Sequence, residues 1–107
     1  MTDKLVVLAT CGSEEEAARL ARMLVEERRA ACVAVTPRVR SYYQWQGKLE
    51  ESEEWALTAK TSRALFPQLL ERLKSAHSYQ VPEVLALPVV DGNPDYLDWM
   101  QRELKEE

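Results

Sequence analysis

The chain has 107 residues, of which 46% are hydrophobic and 30% are charged, and its formal net charge is −4 at pH 7. This length and apolar share are those of one globular domain, which we place at residues 1–107. The acidic balance excludes the basic stripe with which nucleic-acid-binding proteins displace counterions, so we predict no nucleic-acid partner.

The first apolar segment is short. It runs from Leu5 to Ala9, far below the roughly 20 residues that cross a bilayer, and it is too short for the core of an export signal. We therefore expect a cytoplasmic protein with no membrane association. The two cysteines, Cys11 and Cys32, match no zinc or redox spacing, and in the cytoplasm we expect them to be reduced thiols.

A strand and a helix open the chain. Lys4 to Ala9 is rich in valine and leucine, which favours a buried strand. Ser13, followed three residues later by Glu16, predicts a capping box at the start of a helix. Apolar residues then recur at helical spacing, at Ala17, Leu20, Ala21, Leu24 and Val25. We expect Arg28 and Arg29 in the last turn, where positive charge complements the helix dipole.

A long hairpin follows. Cys32 to Trp45 is rich in valine and aromatic residues, which are favoured in strands, and Pro37 within it predicts a bulge or bend. Gln46-Gly47 predicts a tight turn with a positive φ at the glycine, and the return strand runs from Lys48 to Lys60. Both strands exceed the usual ~5–6 residues. The hairpin should therefore project beyond a small domain, and its free edges need a partner.

The second half predicts a helix, a loop and a strand. Ser62 is a candidate cap for a helix whose apolar face contains Phe66, Leu69, Leu70 and Leu73. Pro67 near its start predicts that this helix begins late or bends. Residues 77–83 predict a loop, and the apolar run from Val84 to Val90 predicts a strand.

A short helix is predicted at the end of the chain, because Asn93 suits an N-cap and Pro94 suits the first helical position. The order of elements is then β-α-β-β-α-β plus a helix. This order predicts an α+β fold of the ferredoxin-like type, in which two helices cover one face of an antiparallel sheet.

Several motifs occur along the chain in a specific order and spacing. They are Glu26-Glu27-Arg28-Arg29-Ala30-Ala31-Cys32, Ser41-Tyr42-Tyr43-Gln44-Trp45-Gln46-Gly47-Lys48, His77-x-Tyr79-x-x-Pro82-Glu83 and Gly92-Asn93-Pro94-x-Tyr96-Leu97. Together they resemble the CutA divalent-cation-tolerance family over nearly the whole chain.

The resemblance implies a homotrimer, held by pairing of strand edges between protomers around a threefold axis. This agrees with the long hairpin, whose edges would become ladders between subunits. The resemblance also implies a role in tolerance of, or response to, divalent metal ions such as copper. It implies no enzymatic reaction and no required cofactor.

The chain departs from the metal-binding members of that family. Those members carry a cysteine where this chain has Ala9, and a His-His pair where it has Ala76-His77. His77, the only histidine, therefore remains as the metal-ligand candidate from this pattern. The alternative is a histidine at a helix end that is bonded to backbone carbonyls.

Tight binding of copper or zinc usually takes about three or four donors, so a metal site at His77 needs further ligands. Cys32 is the second metal residue that we predict, and Cys11 and Glu83 remain open as further donors. Cys11 lies at a strand–helix junction, where a helix N-terminus stabilises a thiolate. With so few donors, the expectation is weak copper(II) binding.

A second group of residues predicts a small-ligand site. Lys60, Tyr79 and Glu83 are expected to converge in a cleft at the subunit boundary, with Tyr43 and Trp45 as aromatic walls. A lysine–glutamate pair flanked by aromatic rings suits a small anionic or amphipathic ligand. The alternative is a structural ion pair with aromatic packing at the trimer interface.

Three other functions are alternatives to metal tolerance for this sequence. A trimeric small-ligand sensor of the nitrogen-regulatory type shares the architecture and is the main alternative. An enzyme with His77 and Glu83 as acid and base would need both groups within reach of a substrate. An RNA-recognition module has the same element order, but its aromatic stacking pair is absent from Trp55 to Lys60.

Overall fold

The structure is a computed structural model, and it describes residues 1–105. The elements in chain order are β1 (Lys4–Cys11), α1 (Glu14–Glu26), β2 (Cys32–Trp45), β3 (Lys48–Ser62), α2 (Phe66–Ala76), β4 (Val84–Pro88) and α3 (Pro94–Glu103). This is the predicted order, and the α+β ferredoxin-like class is confirmed. Within the described residues, no helix is both long enough and apolar enough to cross a membrane.

One four-stranded sheet organises the chain, with strand order β2-β3-β1-β4 and antiparallel pairing throughout. Alternate residues of β1 and β3 pack against α1 and α2 and form the main core. Its members include Val7, Ala9, Cys11, Leu20, Leu24, Leu57, Ala59, Leu69 and Leu73. A smaller cluster with Leu65, Met100 and Leu104 holds α3. Because side chains alternate along a strand, the other residues of β1 and β3 face the opposite side of the sheet.

The end of α1 differs from the prediction. The helix stops at Glu26, so Arg28 and Arg29 lie beyond its last turn. Arg28 has φ 60°, and the N–H groups of both arginines donate to carbonyls of the preceding turn, which is a Schellman ending. The Arg28 guanidinium instead donates to the last two carbonyls of α3 at 2.7 and 2.9 Å. It therefore complements the dipole of α3 rather than that of α1.

Two boundaries in the second half are refined. α2 begins at Phe66, so the predicted late start is confirmed and Pro67 lies in the first turn, where its missing N–H is harmless. Ser62 caps the turn before this helix rather than the helix itself. β4 ends at Pro88 instead of Val90, although Val89 still donates to the Lys4 carbonyl and accepts from the Thr2 N–H.

A β-bulge interrupts β2 at the predicted place. Thr36 lies opposite Ala56 and Val39 lies opposite Glu54, so β2 advances three residues while β3 advances two. Arg38, within the bulge, has φ 59°. One extra residue reverses which side chains of β2 point to each face of the sheet. Beyond the bulge, the odd-numbered residues of β2 therefore share a face with Glu54.

The far half of the hairpin projects from the sheet. β1 pairs with β3 only as far as Trp55, so β3 before that residue and its partner segment of β2 have no third strand beside them. Gln46 and Gly47 both have positive φ, 52° and 80°, as a tight two-residue hairpin turn requires. The long dimension of the chain is 44 Å, against 25 and 22 Å for the others. The predicted projection is confirmed.

The loop of residues 77–83 is held at its start by a buried carboxylate. Ser13 caps α1, accepting from the Glu16 N–H at 3.1 Å, which is the half of the predicted capping box that the structure shows. The Glu16 carboxylate accepts from the backbone N–H and the hydroxyl of Ser78, at 2.7 and 2.9 Å. Burial alone raises the pKa of Glu16, but the bonds from Ser78 and the nearby His77 outweigh it and hold that pKa below its ordinary 4.5.

Replacing Glu16 with glutamine should therefore lower the free energy of unfolding at pH 7 by about 1.5–3 kcal/mol, since a charged acceptor is lost. Because the pKa of Glu16 is lower in the folded chain, its contribution is complete above the unfolded pKa and is lost as pH falls through the folded value. Urea unfolding between pH 7 and pH 3 measures both effects. Glu15→Gln, an exposed neighbour on the same helix, is the control. If both variants keep the pH dependence of the parent, Glu16 does not anchor the loop.

Candidate functional site

A cleft of ≈540 Å³ lies between the projecting hairpin and the loop of residues 77–83. Its volume falls in the range of small-molecule sites, roughly 300–1,000 Å³. The residues that line it are Thr10, Ser41, Tyr42, Tyr43, Trp45, Glu54, Tyr79, Gln80, Val81 and Glu83. They come from β1, β2, β3 and the loop, so the cleft forms only when distant parts of the chain have folded together.

Most of the predicted ligand-binding residues meet at this cleft. Tyr43 and Trp45 line it from β2, and Tyr79 and Glu83 line it from the loop. The bulge is the reason for the first pair, because it places odd-numbered residues of β2 on the face of Glu54. Sequence reasoning grouped these four residues by family motif, and the structure supplies the geometry that unites them.

Lys60 is not among them, which corrects the predicted grouping. Its Nζ lies 3.6 Å from the Cys32 Sγ and 5.9 Å from the centroid of the Tyr96 ring. Lys60 pairs with Val6 of β1, whereas the cleft begins four residues further along that strand, at Thr10. At about 3.3 Å per residue, this separates the two backbone positions by about 13 Å.

Glu54 also lines the cleft, and it is not among the site residues predicted from the sequence. It ends an acidic run that begins at Glu50, yet it is only 6% exposed. The Tyr79 hydroxyl donates to its Oε2 at 2.7 Å. Burial and then this carboxylate raise the pKa of Tyr79, so the phenol stays a neutral donor. The sequence shows that Glu54 and its neighbour Trp55 face opposite sides of the strand. Which of these sides is buried depends on the register across the sheet.

Gly12 permits that hydrogen bond. A Cβ atom at this position would lie 3.2 Å from the Tyr79 hydroxyl oxygen, closer than most side chains tolerate. The absence of a side chain lets the ring approach the end of β1 and reach Glu54.

His77 forms hydrogen bonds within the fold through both ring nitrogens. Its side chain is fully buried, its Nε2 lies 2.8 Å from the Thr10 carbonyl oxygen, and its Nδ1 accepts from the Tyr79 N–H at 3.0 Å. Because Nδ1 accepts, Nε2 carries the proton and donates to the carbonyl. Both ring nitrogens are thus engaged, and a metal ion would need to displace one of these bonds. His77 fixes the start of the loop that forms one wall of the cleft.

The predicted metal residues His77 and Cys32 are not brought together. Cys32 is half-buried, with its Sγ 3.4 Å from the Tyr96 hydroxyl, and it lies opposite Lys60. Through Lys60, Cys32 aligns with Val6 of β1. Val6 lies about 13 Å along β1 from Thr10, whose carbonyl bonds His77. Among residues 1–105, no three His, Cys, Asp or Glu side chains form a group suited to a metal ion.

Cys11 is a core residue rather than an exposed thiolate. Its Sγ donates to the Ser13 carbonyl at 3.7 Å, and its side chain packs with Ala9 and the other residues of the main core. Burial is the largest effect on the pKa of this thiol and raises it, which favours the protonated form.

Comparisons with known proteins agree with the fold and the motifs. The family model for CutA1 divalent ion tolerance protein matches residues 5–103. The divalent-cation tolerance protein CutA of Thermus thermophilus is 51% identical over 96 residues, which cover 90% of this chain and 93% of that protein. Protein CutA of Mus musculus is 47% identical over 87% of this chain, but the match spans only 52% of the mouse protein.

Solved structures give the same result. The divalent cation tolerance protein of Thermus thermophilus superposes with a TM-score of 0.93 at 48% identity, over 95% of this chain and 99% of that one. The protein from Archaeoglobus fulgidus, which is described as periplasmic, superposes with a TM-score of 0.92 at 34% identity, again over 95% and 99%. Since both the sequence and the fold match over nearly the whole described length, the chain belongs to the CutA1 divalent ion tolerance protein family.

Proposed function

We propose that the chain acts as a cytoplasmic homotrimer in tolerance of divalent cations, without catalysing a reaction. The observation that carries the assembly is the pair of free sheet edges, β2 and β4. Free edges invite pairing with another chain. Because these two edges differ, contact between the edge of one copy and the other edge of the next is head-to-tail, and such contacts form a ring when the rotation between copies closes.

The side of the sheet opposite α1 and α2 supports the same proposal. Leu85 lies opposite Leu8, and Leu87 lies opposite Val6, so all four point away from those helices. Leu85 is 57% exposed and Leu87 is 48% exposed in the single chain. Neighbouring exposed leucines on an edge strand are typical of a surface that another subunit covers.

Leu85→Glu tests this surface. In the single chain the side chain is already exposed, so the variant should fold normally, as judged by circular dichroism, but a buried carboxylate at the interface should prevent assembly. Light scattering should give three times the mass of one chain for the parent and one chain for the variant. Val25→Glu, a similar change at an exposed residue of α1, should remain trimeric. A parent that is monomeric, or a Leu85→Glu variant that keeps the trimer mass, contradicts the proposal.

For copper, we propose weak direct binding. The support is the engagement of both His77 nitrogens within the fold and the separation of His77 from Cys32. An ion that takes His77 as a ligand must break a buried hydrogen bond, and the penalty for an unpaired buried group lowers the net affinity. The tolerance role would then act through the assembly and its ligands rather than through a tight metal centre.

A calorimetric titration with copper(II) measures this. We expect a dissociation constant of about 10 μM or weaker, which corresponds to about −7 kcal/mol or less favourable. His77→Ala should lower thermal stability by removing the bonds to Thr10 and Tyr79, while Cys32→Ser and His77→Ala should each change copper affinity less than about threefold. Stoichiometric binding with a submicromolar constant, lost in His77→Ala while the trimer persists, would instead make His77 the anchor of a metal site.

The cleft favours a second function, the binding of a small molecule. We propose it as a ligand site because its volume is suitable and because Tyr43, Trp45, Tyr79 and Glu83 converge on it from separate elements. A sensor role would follow if the ligand changes the assembly or its partners.

A further inference from the structure

The charged side chains that line the cleft are acidic. Glu54 and Glu83 are its only ionisable groups other than tyrosines, and no lysine, arginine or histidine is among the described residues that line it. The predicted lysine–glutamate pair suited an anionic ligand, but Lys60 lies with Cys32 and Tyr96 instead. The lining therefore disfavours an anion and favours a cation.

Glu54 is the buried group that such a cation would satisfy. The residue is 6% exposed and accepts one side-chain hydrogen bond, from the neutral Tyr79 hydroxyl. It forms no ion pair with any residue in the range 1–105, whereas Glu16 and Glu27 are each paired with arginine. A buried carboxylate without a positive partner is costly, and a cation placed in the cleft would offset that cost.

The aromatic rings specify the kind of cation. In the single chain Trp45 is 47% exposed and Tyr43 is 42% exposed, and both line the cleft. Tyr43 lies opposite Glu50 and Trp45 opposite Lys48, so Tyr43 is the nearer of the two to Glu54. Faces of tryptophan and tyrosine attract ammonium and guanidinium groups and also cover their hydrocarbon parts. A divalent metal ion prefers a larger set of oxygen, nitrogen or sulfur donors, which these rings do not supply.

We infer that the cleft binds a small organic cation, an alkylammonium or a guanidinium, with its charge at Glu54 and its carbon body directed toward Tyr43. Glu83, which is exposed at the cleft, adds attraction from the solvent side. This inference rests on the proposed ligand site and names its ligand class. It is independent of the weak copper binding, since neither His77 nor Cys32 lines the cleft.

The test compares cations with neutral molecules of the same shape. Choline is paired with 3,3-dimethylbutan-1-ol, and n-butylguanidinium is paired with n-butylurea. Tryptophan fluorescence and calorimetry on the purified, assembled protein measure binding. At least one cation should bind ten or more times more tightly than its neutral partner, about 1.4 kcal/mol. Raising the salt concentration should weaken that binding.

Matched variants locate the site. Glu54→Gln keeps the shape and removes the charge, and it should lower affinity for the cation at least tenfold. Glu53→Gln makes the same change on the adjacent residue, which points to the other face of β3 and is exposed, and it should have no effect. Tyr43→Phe should weaken binding less than Tyr43→Ala, because the aromatic face is retained.

The outcomes distinguish failure of the inferred ligand class from failure of the proposed ligand site. If the neutral partners bind as tightly as the cations and Tyr43→Ala abolishes both, the cleft is a ligand site but the inferred charge is wrong. If no probe gives saturable binding at the cleft, both are overturned. Should Glu54→Gln unfold, saturation-transfer NMR on the unmodified protein decides instead. Contact of the choline N-methyl groups with tyrosine ring protons supports the inference, and absence of contact refutes it.

Discussion

The extra residue in β2 is the constraint on which the candidate site depends. Up to Thr36, even-numbered residues of β2 lie on the face away from α1 and α2, and after the bulge odd-numbered residues do. This reversal places Tyr43 and Trp45 on the same face as Glu54. A hairpin of the same composition without the bulge would present these two residues on the opposite face. The positive φ of Arg38 shows that the chain adopts an uncommon conformation to make this change.

The opposite wall of the cleft is held in place by buried polar contacts rather than by regular structure. Glu16 binds Ser78, and His77 bonds both to Thr10 and to Tyr79 of its own loop. Tyr79 then joins that wall to Glu54 on β3. A loop tied down at its first three residues is preorganised, so a ligand would not need to order it. The only histidine of the chain thus contributes to the site by positioning.

The sequence predicted the element order and the hairpin because periodicity, caps and turn residues are local signals. Ser13, Asn93, Pro37 and Gly47 each act within a few residues, and the structure confirms each of them. The sequence did not predict where Lys60 and Glu54 lie, since both sit on β3 and their surroundings depend on register across the sheet. Local reasoning also misplaced Arg28, whose partners at the end of α3 are more than 70 positions away.

The cleft and the proposed assembly are physically connected. The aromatic wall belongs to β2, one of the two free sheet edges, and the wall is part of the hairpin that projects beyond β1. When a ligand binds the assembled chain more tightly than the single chain, it stabilises the assembly by the same factor, because linkage is reciprocal. Binding an organic cation at Glu54 would also remove the cost of burying that carboxylate beside a neighbouring subunit. A tolerance protein of this design would respond to its ligand through the stability of the trimer, and it would not need to hold the metal ion itself.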